Sequence, residues 1–145
     1  KTHKKNFGYI GATPLIFTGT LRENILYGNK KKIRDEEIIT FMKEFELFNE
    51  ENRYSLDYKV DNKSLSSGQM QKISFIRALL SDVEILLLDE STANLDEKTR
   101  NLIFEILEAQ KITIINSTHD PENFKNVDHH LKINIENDIR EVSLN

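Results

Sequence analysis

The sequence lacks several features that would assign a protein to a functional class. It has no cysteine, which excludes disulfides, thiolate metal sites and thiol nucleophiles. Its longest uninterrupted apolar run, residues 85–88, is far shorter than the ~20 residues needed to cross a bilayer. Residues 1–5 are rich in lysine but no apolar run follows them, so we expect no signal peptide. Neither sign of charge dominates, since 20 Lys and Arg stand against 24 Asp and Glu, and this argues against broad electrostatic binding to nucleic acid or anionic lipid.

The residues that are present suit one domain with a hydrophobic core, because 38% of the 145 positions are hydrophobic. Apolar periodicity predicts helices over residues 21–27, 35–48, 67–80, 96–110 and 121–126. Short strands are expected over residues 7–10, 85–88 and 112–115, the last two apolar enough to be buried. The alternating C-terminal segment around Asn137-Asp138 predicts a hairpin. Residues 29–34 and 50–64 are expected to be irregular.

The order strand, helix, strand, helix in the second half predicts an α/β fold with parallel strands and right-handed crossovers. In such sheets the functional groups lie just beyond the carboxyl ends of the strands. That rule selects Asp89, Glu90 and His119.

Asp89 and Glu90 directly follow a predicted buried strand. In phosphoryl-transfer ATPases an aspartate in this position holds Mg²⁺, and a neighbouring carboxylate orients and deprotonates the attacking water. The alternative is a simple strand end followed by a helix cap. His119 follows another predicted strand, where an imidazole could hydrogen-bond a terminal phosphate or a water, although a lone histidine there is more often structural. His129 and His130 alternate along a strand, so we reject a metal site there.

Residues 65–69, Leu-Ser-Ser-Gly-Gln, precede the helix predicted over residues 67–80. Small hydroxyl residues and a glycine at a helix start leave several backbone N–H groups free, and together with the helix dipole these suit a phosphate. Plain helix capping explains these five residues better when they are taken by themselves.

The combination is more specific than its parts. Residues 65–69, the Ile-Leu-Leu-Leu-Asp-Glu segment at 85–90, Ser-Thr-Ala-Asn-Leu-Asp at 91–96 and His119 follow in an order and spacing that resemble the nucleotide-binding domain of ATP-binding cassette (ABC) ATPases. The resemblance implies that Asp89 is the Walker B aspartate acting through Mg²⁺, Glu90 the catalytic carboxylate and His119 the switch histidine. It also implies a nucleotide-contacting signature, usually Leu-Ser-Gly-Gly-Gln, at Ser66, Ser67, Gly68 and Gln69, and a D-loop that includes Asp96.

Residues 8–25 resemble the exporter type of this family, in which Phe-x-Gly-Thr-Ile-Arg-Glu-Asn-Ile follows the glutamine loop. The resemblance implies part of a P-loop NTPase (RecA-like) sheet flanked by helices, with a helical subdomain over residues 21–80 and the catalytic part over residues 81–145. It implies ATP and Mg²⁺ as ligands. Its implied partners are a transmembrane domain and a second nucleotide-binding domain, not nucleic acid, and its implied location is the cytoplasmic face of the cell membrane.

The sequence departs from the family pattern in three places. Ala12 occupies the position of the loop glutamine, whose carbonyl helps to hold Mg²⁺ in the family, and Ser67 replaces the middle signature glycine. The phosphate-binding loop needs Gly-Lys-Ser/Thr, yet the five glycines are followed by Tyr9, Ala12, Thr20, Asn29 and Gln69. We therefore expect the sequence to be the C-terminal part of a cassette that lacks the Walker A segment, and to bind ATP weakly or not at all alone.

Three functional hypotheses remain open. The first is part of an ABC exporter whose full-length protein hydrolyses ATP. The second is a degenerate or regulatory cassette, supported by Ala12 and opposed by the retained Glu90 and His119. The third is a non-transport ABC ATPase acting on DNA or ribosomes, which the exporter-like residues 18–25 and the acidic charge balance disfavour.

Overall fold

The computed structural model describes residues 6–50 and 54–145. Residues 51–53 of the predicted irregular segment and the basic residues 1–5 lie outside this description. The strands are β1 (Phe7–Ile10), β2 (Gly19–Thr20), β3 (Lys59–Val60), β4 (Ile85–Asp89), β5 (Thr113–Ser117), β6 (Leu131–Glu136) and β7 (Ile139–Leu144). The helices are α1 (Leu21–Ile25), α2 (Asp35–Glu44), α3 (Ser67–Leu80) and α4 (Glu97–Glu108), with a 3₁₀ turn at Pro121–Asn123.

A three-stranded parallel sheet in the order β1-β4-β5 organises the fold. Ile10 pairs with Leu88 of β4, and Asp89 pairs with Ser117 of β5. The carboxyl ends of all three strands therefore meet at one edge of the sheet. This confirms the prediction of an α/β fold with parallel strands flanked by helices.

The central helix α3 has the predicted bounds and lies in the core. Ser66 caps it, and seven of its 14 residues are buried, including Ile73, Phe75 and Ile76. The ring of Phe75 stacks on Phe45, with ring centroids 6.5 Å apart. Because buried residues occur on more than one face of α3, the helix is less amphipathic than the predicted stripe of three- and four-residue spacing indicated.

A second small sheet joins the N-terminal part of the chain to the segment before α3. β2 and β3 pair antiparallel, so that the predicted irregular segment contains a strand. Behind this pair, Arg77 donates hydrogen bonds to the carbonyl oxygens of Leu15 and Asn24, and burial lowers its pKa. Arg77 thus ties α3 to the connector after β1 and to helix α1.

Three predictions about local structure are wrong in part. The helix predicted over residues 35–48 ends at Glu44, and Glu46 has a positive φ of 46°. The helix predicted over residues 121–126 is a 3₁₀ turn at Pro121–Asn123, and Asp120 makes no side-chain capping bond to it. β5 is not buried, since its residues alternate between exposed and half-buried, and Ile115 is 55% exposed.

One face of the parallel sheet is apolar and open. Tyr9, Leu87 and Ile115 are paired neighbours in the register and therefore share this face. Tyr9 is 66% exposed and Leu87 is half-buried, whereas Leu86 and Leu88 on the opposite face are buried. Strand β4 is therefore fully covered on one face and only partly covered on the other.

The C-terminal hairpin of β6 and β7 is confirmed. Asn137 and Asp138 both have positive φ, as the type I′ turn requires. His129 and His130 lie just before β6, and His130 exchanges two backbone hydrogen bonds with Asn145, which extends the pairing of the hairpin by one residue. Within residues 6–50 and 54–145, every helix is too short or too polar to cross a membrane.

Candidate functional site

The candidate site lies at the carboxyl edge of the parallel sheet. Asp89 is the last residue of β4, and its side chain is exposed. Glu90 follows it with a φ of 50°, a left-handed conformation that is unfavourable for a residue with a side chain. The Glu90 N–H donates to the Ser117 carbonyl oxygen at 3.0 Å, which anchors this turn to the end of β5. The strand order therefore positions both carboxylates at the edge where a ligand can approach.

Glu90 and His119 meet across this edge. The Nε2 of His119 lies 3.5 Å from the Oε1 of Glu90. The Glu90 side chain is 26% exposed, whereas that of His119 is 94% exposed, so the carboxylate is partly shielded and the imidazole faces solvent. A carboxylate and an imidazole that lie side by side can both hydrogen-bond one bound water. The structure thus brings together the three residues that the sequence placed beyond the strands.

Tyr9 is a member of this edge that the sequence analysis did not identify. Its hydroxyl donates to the Oδ2 of Asp89 at 3.1 Å, and this hydrogen bond, with the negative charge of Asp89, raises the pKa of Tyr9. The pairing register of β1 on β4 is the feature that would have identified Tyr9. Tyr9 pairs with Leu87, so Tyr9 and Asp89 point to the same face of the sheet.

The residues at 66–69 build the start of α3. The Gln69 N–H donates to the Ser66 hydroxyl at 3.1 Å, and the Ser66 N–H donates to the Gln69 side chain at 2.8 Å. Ser67 is the first helical residue and has no positive φ, so serine is tolerated at this position of the signature. A Cβ on Gly68 would meet only Ser66 within 4 Å. The space beside the Gly68 Cα is therefore otherwise open.

This helix start and the sheet edge are separate parts of the structure. In the described segments, the side-chain hydrogen bonds of Ser66 and Gln69 are to each other and to the Leu47 carbonyl, not to Asp89 or Glu90. The candidate site residues thus fall into two groups that share no described side-chain hydrogen bond.

Asp96 caps α4. Its Oδ1 accepts the Thr99 N–H at 2.8 Å, and that hydrogen bond lowers the pKa of Asp96. Its side chain is exposed, and the positive charges of Lys72 and Lys98 contribute to the same shift. The contacts described for Asp96 are therefore those of a helix cap.

Comparison with known families decides the classification. The family model described as ABC transporter matches residues 1–93 of this chain. The chain belongs to the ABC transporter family. The match spans residues 65–69 as well as Asp89 and Glu90.

Transport ATP-binding proteins are among the relatives. The chain is 36% identical, over 126 residues, to the SPbeta prophage-derived sublancin-168-processing and transport ATP-binding protein SunT of Bacillus subtilis. It is 34% identical, over 123 residues, to the transport/processing ATP-binding protein ComA of Streptococcus pneumoniae. These alignments cover 84% and 82% of this chain but only 18% and 17% of the relatives, so the chain spans about a fifth of their length.

A solved structure agrees with these relatives. The chain superposes with a TM-score of 0.72 on a structure described as a bacterial Atm1-family ABC exporter with ATP bound, at 26% sequence identity. The match covers 86% of this chain and 23% of that one. The resemblance to exporter-type ABC proteins is thereby confirmed, and the fold of the ABC ATPase fragment with it.

Proposed function

We propose that this chain is part of the ATP-hydrolysing nucleotide-binding domain of an ABC exporter, and that the full-length protein couples ATP hydrolysis to transport. The observation that carries the proposal is the approach of His119 to Glu90, 3.5 Å apart beside Asp89 at the carboxyl edge of the sheet. A partly shielded carboxylate next to an exposed imidazole is an arrangement suited to activating a water.

The residues present fit a Mg²⁺ ion that is held by one carboxylate together with the phosphates of ATP. In the described part of the chain, no group of three or more His, Cys, Asp or Glu side chains could hold a metal ion. Mg²⁺ is commonly bound by one or two carboxylates plus substrate phosphates, and the exposed Asp89 supplies one such carboxylate. Bound there, Mg²⁺ would neutralise charge on the phosphates of ATP.

The side chains at the edge then have separate tasks. Glu90 accepts a proton from the attacking water and orients it, and the hydrogen bond between its N–H and Ser117 keeps its backbone in place. His119 donates a hydrogen bond to the terminal phosphate from its exposed position. Tyr9 hydrogen-bonds one oxygen of Asp89 and leaves the other oxygen of that carboxylate available.

The second group of residues acts across a dimer in this proposal. By resemblance to the family, the helix start at Ser66, Ser67, Gly68 and Gln69 contacts the nucleotide bound by a second nucleotide-binding domain. A transmembrane domain is the other partner, which assigns the chain to the cytoplasmic face of the membrane. The sequence contains no Gly-Lys pair for the phosphate loop, so we propose that these 145 residues alone are inactive.

The test is ATP turnover by the full-length protein with Glu90→Gln. Glutamine keeps the size of the side chain but cannot accept the proton, so turnover should fall by about 10²- to 10⁴-fold while ATP still binds. Glu105→Gln on the exposed face of α4 is the matched control and should keep wild-type turnover. Equal turnover in wild type and Glu90→Gln would refute the proposal.

A regulatory cassette is the second candidate, because Ala12 has no side-chain oxygen to offer a metal. Ala12 is exposed in the loop after β1. If the full-length protein turns over ATP only after Ala12→Gln, the natural chain is a binding module. Unchanged turnover in that variant favours the exporter ATPase.

A further inference from the structure

Gln71 is a polar side chain buried within the hydrophobic core, with 2% of its surface exposed. Its Nε2 donates to the carbonyl oxygen of Gly11 at 3.0 Å and to that of Ser91 at 2.6 Å. Gly11 belongs to the loop after β1 and Ser91 to the loop after β4. One side chain of α3 therefore joins the two loops that leave neighbouring parallel strands.

The geometry fixes which end of the amide faces these loops. Both partners are carbonyl oxygens, so the reversed amide would place the Oε1 of Gln71 against two other acceptors. As oriented, Oε1 is buried and has no hydrogen-bond partner within residues 6–50 and 54–145. An unpaired buried acceptor is unfavourable, and an apolar side chain of the same size would avoid it. Core packing therefore does not account for an amide here, whereas the two donated bonds do.

The loop after β4 is the one that carries Glu90. Glu90 adopts its left-handed conformation directly before Ser91. On one side the Glu90 N–H is bonded to Ser117, and on the other the Ser91 carbonyl is bonded to Gln71. Hydrogen bonds from two different elements thus hold the turn that presents the candidate catalytic carboxylate to His119.

Gln71 also lies close to the signature. It is five residues after the Ser66 cap, which is about 7.5 Å along the helix axis. Because α3 is one continuous helix, a displacement of its N-terminal end would move Gln71 and the carbonyl groups bonded to it.

We propose that Gln71 is a positioning residue that couples the signature end of α3 to the Glu90 turn, and so links the two nucleotide sites of a dimer. This inference rests on the proposed function, in which the signature contacts the partner's nucleotide while Glu90 acts on the nucleotide of its own subunit. Gln71 touches neither nucleotide and acts only through the backbone of the two loops.

The test uses the full-length protein with Gln71→Met, which keeps the length and volume of the side chain but has no donor. Gln110→Met is the matched control, since the amide of Gln110, which follows α4, also donates to a carbonyl, that of Ile106 in α4. The steady-state kcat, the KM for ATP and the Hill coefficient are measured per folded molecule. For Gln71→Met we expect kcat to fall by roughly tenfold to 10²-fold, a largely unchanged KM and a Hill coefficient near 1.

A purely structural role would lower the folded fraction and leave these parameters unchanged, and that result would overturn the inference. If Gln71→Met does not fold, Gln71→Asn replaces it. Its amide is one methylene too short to reach both carbonyls, so an intermediate loss of kcat is expected and wild-type kinetics would again overturn the inference. A wild-type protein without Glu90-dependent turnover would instead refute the proposed function, and the coupling role with it.

Discussion

Replacement of Ser66 separates its role as a helix cap from its proposed role at the nucleotide. In Ser66→Ala the Gln69 N–H loses its acceptor at 3.1 Å, while the reciprocal bond from the residue 66 N–H to the Gln69 side chain remains possible. Ser66 is exposed, so water can solvate the freed N–H, and the loss should be about 1 kcal/mol, in the middle of the range for capping residues. That corresponds to roughly a fivefold smaller folding constant and a melting temperature lower by about 4 °C.

Ser66→Asp is the informative partner of this variant. Aspartate caps helices as well as serine, and its charge is favourable at a helix N-terminus, so stability should be retained. The same carboxylate would repel the phosphates of ATP. Denaturant unfolding followed by circular dichroism, together with ATP turnover of the full-length protein, should therefore rank the two variants in opposite orders. If the two variants rank in the same order for turnover as for stability, Ser66 is only a cap and the proposed nucleotide contact is refuted.

Two further predictions concern stability and its pH dependence. Phe75→Ala should cost about 3–5 kcal/mol, because this ring is fully buried against Phe45, whereas Phe7→Ala, at a site 65% exposed, should change the unfolding free energy by less than about 0.5 kcal/mol. Similar denaturation midpoints for the two would contradict the assigned core. The Thr99 N–H lowers the pKa of Asp96 below its ordinary 3.8, so the ionised cap stabilises the fold above that pH, and the contribution is lost as the pH falls through the lower folded value. Asp96→Asn keeps the cap without titrating and should lose less stability than wild type between about pH 5 and pH 2, as measured by urea midpoints. Identical pH profiles would refute this contribution of Asp96.

Local sequence rules predicted the elements whose stability is local. The bounds of α3 followed from the serine cap and apolar periodicity, and the C-terminal hairpin followed from alternation on either side of Asn137-Asp138. The rule that functional groups lie beyond the carboxyl ends of parallel strands correctly predicted that Asp89, Glu90 and His119 lie at one edge. These predictions succeeded because each depends on residues within a few positions of one another or on a general property of parallel sheets.

Features that depend on tertiary neighbours were not predictable in this way. The apolar composition of residues 112–115 indicated burial, but burial also needs a covering element, and Ile115 faces solvent. The contact between Tyr9 and Asp89 spans 80 positions and needs the register of β1 on β4. Gln71 looks like an ordinary polar residue in an amphipathic helix until the loops after β1 and β4 are seen to converge on it.

The open face of the parallel sheet has a consequence for the solution behaviour of these 145 residues. Tyr9, Leu87 and Ile115 form an apolar row on a small sheet, and the hairpin exposes further apolar residues, among them Ile133 and Val142. Burying one such side chain in a contact between two molecules lowers the free energy by roughly 1.5–3 kcal/mol. Uncovered apolar faces and strand edges are therefore sites of self-association. Prepared by itself, this polypeptide would therefore aggregate more strongly as its concentration rises. Adding a polypeptide that covers the open face of the sheet would increase its solubility.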